Sequence, residues 1–75
     1  MSELIHDFGA AVRHFRDQQG WSQELLAEKA DLNRSYLGEV ERGRAIPSLA
    51  TAAKLAGALE ISLSGLLAHC ERRAA

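Results

Sequence analysis

Apolar residues in this chain recur at three- and four-residue steps from Ile5 to Leu67, and nowhere alternate with polar residues over the length of a strand. Stripes of that period lie on one side of the backbone only in a helix, and each must be buried against another helix. The runs are also short. Gly20, Ser22, Asp31, Gly43, Pro47, Ser48 and Ser62 interrupt them, and these residue types cap, stop or turn helices. The pattern predicts an all-α protein, a compact orthogonal five-helix bundle.

Helix one is predicted from about Leu4 to Gln19, with Ile5, Phe8, Val12 and Phe15 inward and Gly20 as its stop. Helix two follows the N-cap Ser22, runs to about Lys29 and turns Leu26, Ala27 and Ala30 inward. Helix three spans about Arg34 to Arg42, with Leu37 and Val40 inward and Gly43 at its end. Helix four follows Pro47 and the cap Ser48 to about Ala58, with Leu49, Ala52, Ala53, Ala56 and Leu59 as its apolar set. Ser62 caps a fifth helix through about His69 that carries Leu63, Leu66 and Leu67.

Seventy-five residues leave room for a single domain, 1–75, with a core over about 5–69 and residues 70–75 expected as a frayed tail. One cysteine, Cys70, excludes an internal disulfide and fits a reducing compartment. Met1-Ser2-Glu3 shows no leader, and no apolar stretch approaches the ~18 residues that span a membrane, so the expected location is the cytoplasm. His6, His14 and His69 are scattered and read as solvated, not as metal ligands. His69 beside Cys70 is no catalytic pair, because adjacent helical residues point apart. No cofactor, metal or enzyme activity is expected. Trp21 reads as a hydrophobic staple before helix two.

The segment Gln23 to Arg42 is the most restrictive. Two short helices crossing steeply need a small residue at the crossing, and Ala27 supplies it. Leu26, Ala30, Leu32, Leu37 and Val40 fall where the two helices must bury a stripe. The turn needs a left-handed residue, and Asp31 is one of the few types besides glycine that adopts that conformation at modest cost.

Gly20-Trp21-Ser22-Gln23-Glu24-Leu25-Leu26-Ala27 and Asn33-Arg34-Ser35-Tyr36-Leu37-Gly38-Glu39-Val40-Glu41-Arg42-Gly43 resemble the Cro/C1-type (XRE) helix-turn-helix family. Pro47-Ser48-Leu49 and Leu55 to Ser62 continue the likeness. In length and in the wording around Arg34-Ser35-Tyr36 and Val40-Glu41-Arg42-Gly43, the chain is most similar to restriction-modification controller proteins. The resemblance implies a lambda-repressor-like fold, with helix three as the recognition helix of a transcription regulator. Arg34, Ser35, Tyr36 and Glu39 are the implied base-reading residues. Arg34 suits guanine O6 and N7; Glu39 either accepts from cytosine N4 or holds Arg34; Tyr36 either touches DNA or packs on helix two. Ser22, Gln23, Asn33, Arg42 and Arg44 are the implied phosphate contacts. Arg16 and Glu41 resemble the family's internal ion pair, the alternative being a surface pair contributing ~0–1 kcal/mol.

The implied partners are double-stranded DNA, a second copy of the chain, and RNA polymerase if the regulator activates. Ile61, Leu63, Leu66 and Leu67 are the candidates for the two-fold contact, some of them needed by the core. The net charge of -1 is low for a nucleic-acid partner and puts the weight on the charge of the docking face. It also keeps two other readings open: an antitoxin that represses its own operon, and a protein-interaction module without DNA binding.

Overall fold

The computed structural model describes residues 2–74; Met1 and Ala75, the ends of the expected domain, lie outside the described residues. Five helices follow in order: α1 (Ser2–Gln19), α2 (Gln23–Ala30), α3 (Arg34–Glu41), α4 (Leu49–Ala58) and α5 (Leu63–Ala74). Four of them start on a side-chain cap. Ser22 Oγ accepts from the Leu25 N–H, Asn33 Oδ1 from those of Ser35 and Tyr36, Ser48 Oγ from Thr51, and Ser62 Oγ from Gly65. Each bond satisfies a backbone donor that the first helical turn leaves unpaired.

The stops share one geometry. After α1, α2, α3 and α4 the chain enters the left-handed region at Gly20, Asp31, Gly43 and Glu60, with φ of 74°, 56°, 73° and 59°. In each case the next residue donates to the carbonyl five back: Trp21 to Arg16, Leu32 to Ala27, Arg44 to Glu39 and Ile61 to Ala56. This is the Schellman closure, and it reverses the chain within three residues. Glu60 reaches the left-handed region without glycine's freedom, and nothing in the residue type announces it.

The core is built on α1. Phe8, Ala11 and Val12 are buried and pack with Leu26, Ala27 and Ala30 of α2, Leu37 and Val40 of α3, Ala52, Leu55 and Ala56 of α4, Leu59 just after it, and Leu66 and Cys70 of α5. α1 lies against α3 and α5, and α2 against α3 and α4. Gly9 makes the α1–α3 contact possible: a Cβ there would overlap the Val40 carbonyl oxygen and lie 2.7 Å from that of Glu41.

Several expectations change. α5 does not end near His69 in a frayed tail but continues to Ala74, because Cys70 is fully buried one turn beyond Leu66 and ties the added turn to the core. α4 turns Ala52, Leu55 and Ala56 inward, leaving Leu49 73% exposed and Ala53 on the surface. Leu49 opens the helix at the rim of an apolar groove, outside the core. His14 and His69 are not scattered: they stack at 4.8 Å between centroids, and Phe15 meets both edge-on. His69 is half-buried, and its Nε2 has no hydrogen-bond partner among the described residues. No single described helix is long and apolar enough to cross a membrane.

Candidate nucleic-acid interface

α3 has two faces of opposite character. Leu37 and Val40 are fully buried, whereas Arg34, Ser35 and Arg42 are exposed. Residues 34, 38 and 42 are four apart and form one stripe, with 35 and 39 alongside. These residues and Gln23 of α2 line one shallow cleft of about 290 Å³. Gly38, in the middle of the stripe, is buried beneath the Arg42 side chain. Nothing bulkier separates Arg34 from Arg42.

The inner face of α3 is locked to α1. Arg16 donates through Nε and Nη2 to both oxygens of Glu41, at 2.8 and 2.9 Å, in a two-pronged pair. Its Nη1 donates to the Trp21 carbonyl at 2.8 Å. The Glu41 side chain is 3% exposed and that of Arg16 12%. The hydrogen bonds to Glu41 raise the Arg16 pKa, against the opposing effect of burial. Gln23 Nε2 adds a third bond to Glu41 at 2.9 Å. That contact was not visible in the sequence: Gln23 is 18 residues from Glu41, and only the α2–α3 crossing brings them together.

Ser22 and Asn33 are exposed and act as caps, so their side-chain oxygens serve the backbone. Tyr36 is half-buried and packs against the core. Glu39 holds Arg42, at 2.9 Å from its Nη2, and not Arg34. Arg34 and Arg44 are exposed and make no ion pair with another described residue. Of the four residues considered for a two-fold contact, Leu66 is fully buried in this chain's own core and is unavailable. Ile61 and Leu63 are half-buried, and Leu67 is 37% exposed. Leu67 borders an apolar groove with Leu4, Ile46 and Leu49 that sequence periodicity missed, because Ile46 lies in a loop.

The two capped helices, the left-handed Asp31 between them and the exposed stripe on the second coincide with a family model described as helix-turn-helix, which matches residues 12–66. The chain belongs to the helix-turn-helix family. Among its curated relatives is the immunity repressor protein of Bacillus phage phi105, 44% identical over 59 residues. That match covers 79% of this chain but only 41% of the repressor, so the chain spans about two fifths of that relative's length. The control protein C.BamHI of Bacillus amyloliquefaciens is 36% identical over 72 residues, covering 88% of this chain and 89% of that protein. The crystal structure of the restriction-modification controller protein C.AhdI from Aeromonas hydrophila superposes with a TM-score of 0.81 at 44% identity, over 88% of this chain and 98% of that one.

Proposed function

We propose that this chain is a sequence-specific DNA-binding transcription regulator of the restriction-modification controller kind, acting in the cytoplasm and without catalytic activity. One observation carries this reading. The exposed stripe of α3 presents Arg34, Ser35 and Arg42 beside the capped start of α2, on a helix fixed from behind by Arg16 and Glu41. α3 has eight residues and is ~12 Å long at 1.5 Å per residue, which suits a major groove ~12 Å wide. The likeness to C.BamHI and C.AhdI, which extends over most of each of those proteins, supports the controller assignment.

In this reading Arg34 and Ser35 address base edges, Tyr36 stands at the margin, and Glu39 acts through the arginine it holds. Ser22, Gln23, Asn33 and Arg44 address phosphates, Gln23 with whatever donor capacity Glu41 leaves it. A lone module of this size buries ~600–1,000 Å² on DNA and specifies weakly. Two copies read half-sites about one helical turn apart, so we assign the regulator as a homodimer on a pseudo-palindromic operator. Leu67, with the neighbouring Ile46 and Leu49, offers the second copy an apolar surface. Contact with RNA polymerase is the finer reading, checked by transcription from the bound promoter with purified polymerase.

A mobility-shift assay with fragments from the chain's own genome tests the core of the proposal. The wild type should shift selected fragments, with affinity falling steeply as salt rises. Arg34→Ala should lose that selectivity at unchanged helicity. Equal retention of all fragments, or no shift at all, sinks the reading. Co-purification of a stable partner protein would point to the antitoxin alternative.

A further inference from the structure

Resting on the function proposed above, we infer that Arg42 is a base-reading residue, held by Glu39 over Gly38 to address a guanine in the middle of the half-site. Three observations converge on it. Arg42 continues the stripe that begins with Arg34 and passes through Gly38, so its side chain leaves α3 on the reading face. Its guanidinium does not extend past the helix end but folds back. A Cβ built on Gly38 would stand 3.3 Å from both Nη atoms and 3.6 Å from Cζ, so the planar group fills the space the glycine leaves. Glu39 Oε2 fixes it there, accepting from Nη2 at 2.9 Å.

This placement suits a guanine edge better than a phosphate. Folding back sets the guanidinium at the register of residue 38, ~6 Å along the axis from Arg34 at 1.5 Å per residue. That separation corresponds to about two base pairs at 3.4 Å each. A carboxylate beside the guanidinium repels a phosphate but tolerates the neutral O6 and N7 acceptors. The C-terminal end of α3 also carries the negative pole of the helix dipole, which opposes an anion. Arginine has five N–H donors, so after one is given to Glu39 four remain for a forked contact. Glu39 is a positioning residue: it orients the fork and reduces the rotamer freedom lost on binding. Gly38 is the third part, since any side chain there would displace the guanidinium from its seat.

The experiment is selection from a randomised duplex library by the full chain, followed by competition binding at fixed salt, for wild type, Arg34→Ala, Arg42→Ala and Glu39→Gln. All three substitutions are on exposed or half-exposed positions, and helicity checks that each folds. The wild type is expected to select a guanine at a position about two base pairs from the one that Arg34→Ala relaxes. Arg42→Ala should lose preference at that inner position alone, by about 5- to 150-fold, the range one forked base contact provides. Glu39→Gln should weaken the same preference by a smaller factor. If Arg42→Ala instead binds every sequence more weakly by one factor, with its salt dependence reduced by about one phosphate contact, Arg42 is a backbone contact and the inference is overturned. An unchanged inner preference in Glu39→Gln removes Glu39 from the positioning role. No selected sequence for the wild type overturns the proposed function and this inference together.

Discussion

Two arginine–glutamate pairs lie on opposite faces of α3, and their lengths are nearly identical: 2.8 Å for Arg16–Glu41 and 2.9 Å for Glu39–Arg42. Their surroundings differ. The inner pair joins residues 25 apart in sequence, with side chains 12% and 3% exposed, and the Trp21 carbonyl and Gln23 amide complete its hydrogen bonding. The outer pair joins neighbours on one helix, with side chains 52% and 45% exposed. Distance alone therefore says little. An ion pair removed from water holds the architecture, because losing either partner strands a desolvated charge; one left in water contributes little to folding and is available to a ligand. Gln23 connects the two regions, donating to Glu41 while lining the cleft that contains Arg42.

Removing Glu41 should have the largest effect. Glu41→Ala leaves the half-buried Arg16 guanidinium with only the exposed Asp17, 3.6 Å away, as a carboxylate partner, and should cost about 3 kcal/mol in urea denaturation. A loss below about 1 kcal/mol would make the inner pair no different from the outer one. Gly9→Ala comes next: the new methyl overlaps the α3 carbonyls, and the α1–α3 junction should lose about 1–3 kcal/mol. Gly57 in α4 is its control, since a Cβ there meets nothing within 4 Å. Gly57→Ala should raise stability by about 0.5–1 kcal/mol through helix propensity, and a similar sign for both substitutions would discredit the close approach at Gly9.

The α1–α5 junction should respond to pH. Burial, then the stacked His14 and the positive charges of Arg72 and Arg73, lower the His69 pKa from its ordinary value of 6.5. The unfolded chain then binds the proton more readily than the fold does. Stability from this site is fully present above pH 6.5 and declines as pH falls toward the lowered folded value. Thermal melts between pH 8 and 5 should show a falling midpoint that His69→Phe flattens; an unaltered slope in that variant would remove His69 as the cause. The smallest effect belongs to Glu39→Ala, whose stability should change by less than about 0.5 kcal/mol while DNA selectivity changes. A stability loss matching that of Glu41→Ala would erase the contrast between the faces.

The helices themselves were legible because their signals are local. A cap hydroxyl meets an N–H three residues on, as Ser22 meets Leu25, and a stop closes over five residues, as from Arg16 to Trp21. The apolar steps of α2 and α3 identified Leu26, Ala27, Ala30, Leu37 and Val40 as core, and all are buried. Where one helix offers two apolar stripes, as α4 does with its many alanines, residue type does not choose between them. The neighbouring helices do, and they take Leu55 and leave Leu49 in water.

The existence and order of the helices, the caps at Ser22 and Ser48, the turns at Gly20, Asp31 and Gly43 and the polar face of α3 thus follow from the order of residues, since they depend on interactions spanning a few positions. The length of α5, the stacking of His14 on His69, the choice of Arg42 as the partner of Glu39, and the joining of Gln23 to Glu41 were settled only by packing. Each depends on which surfaces meet in space, and a one-dimensional pattern carries no term for that.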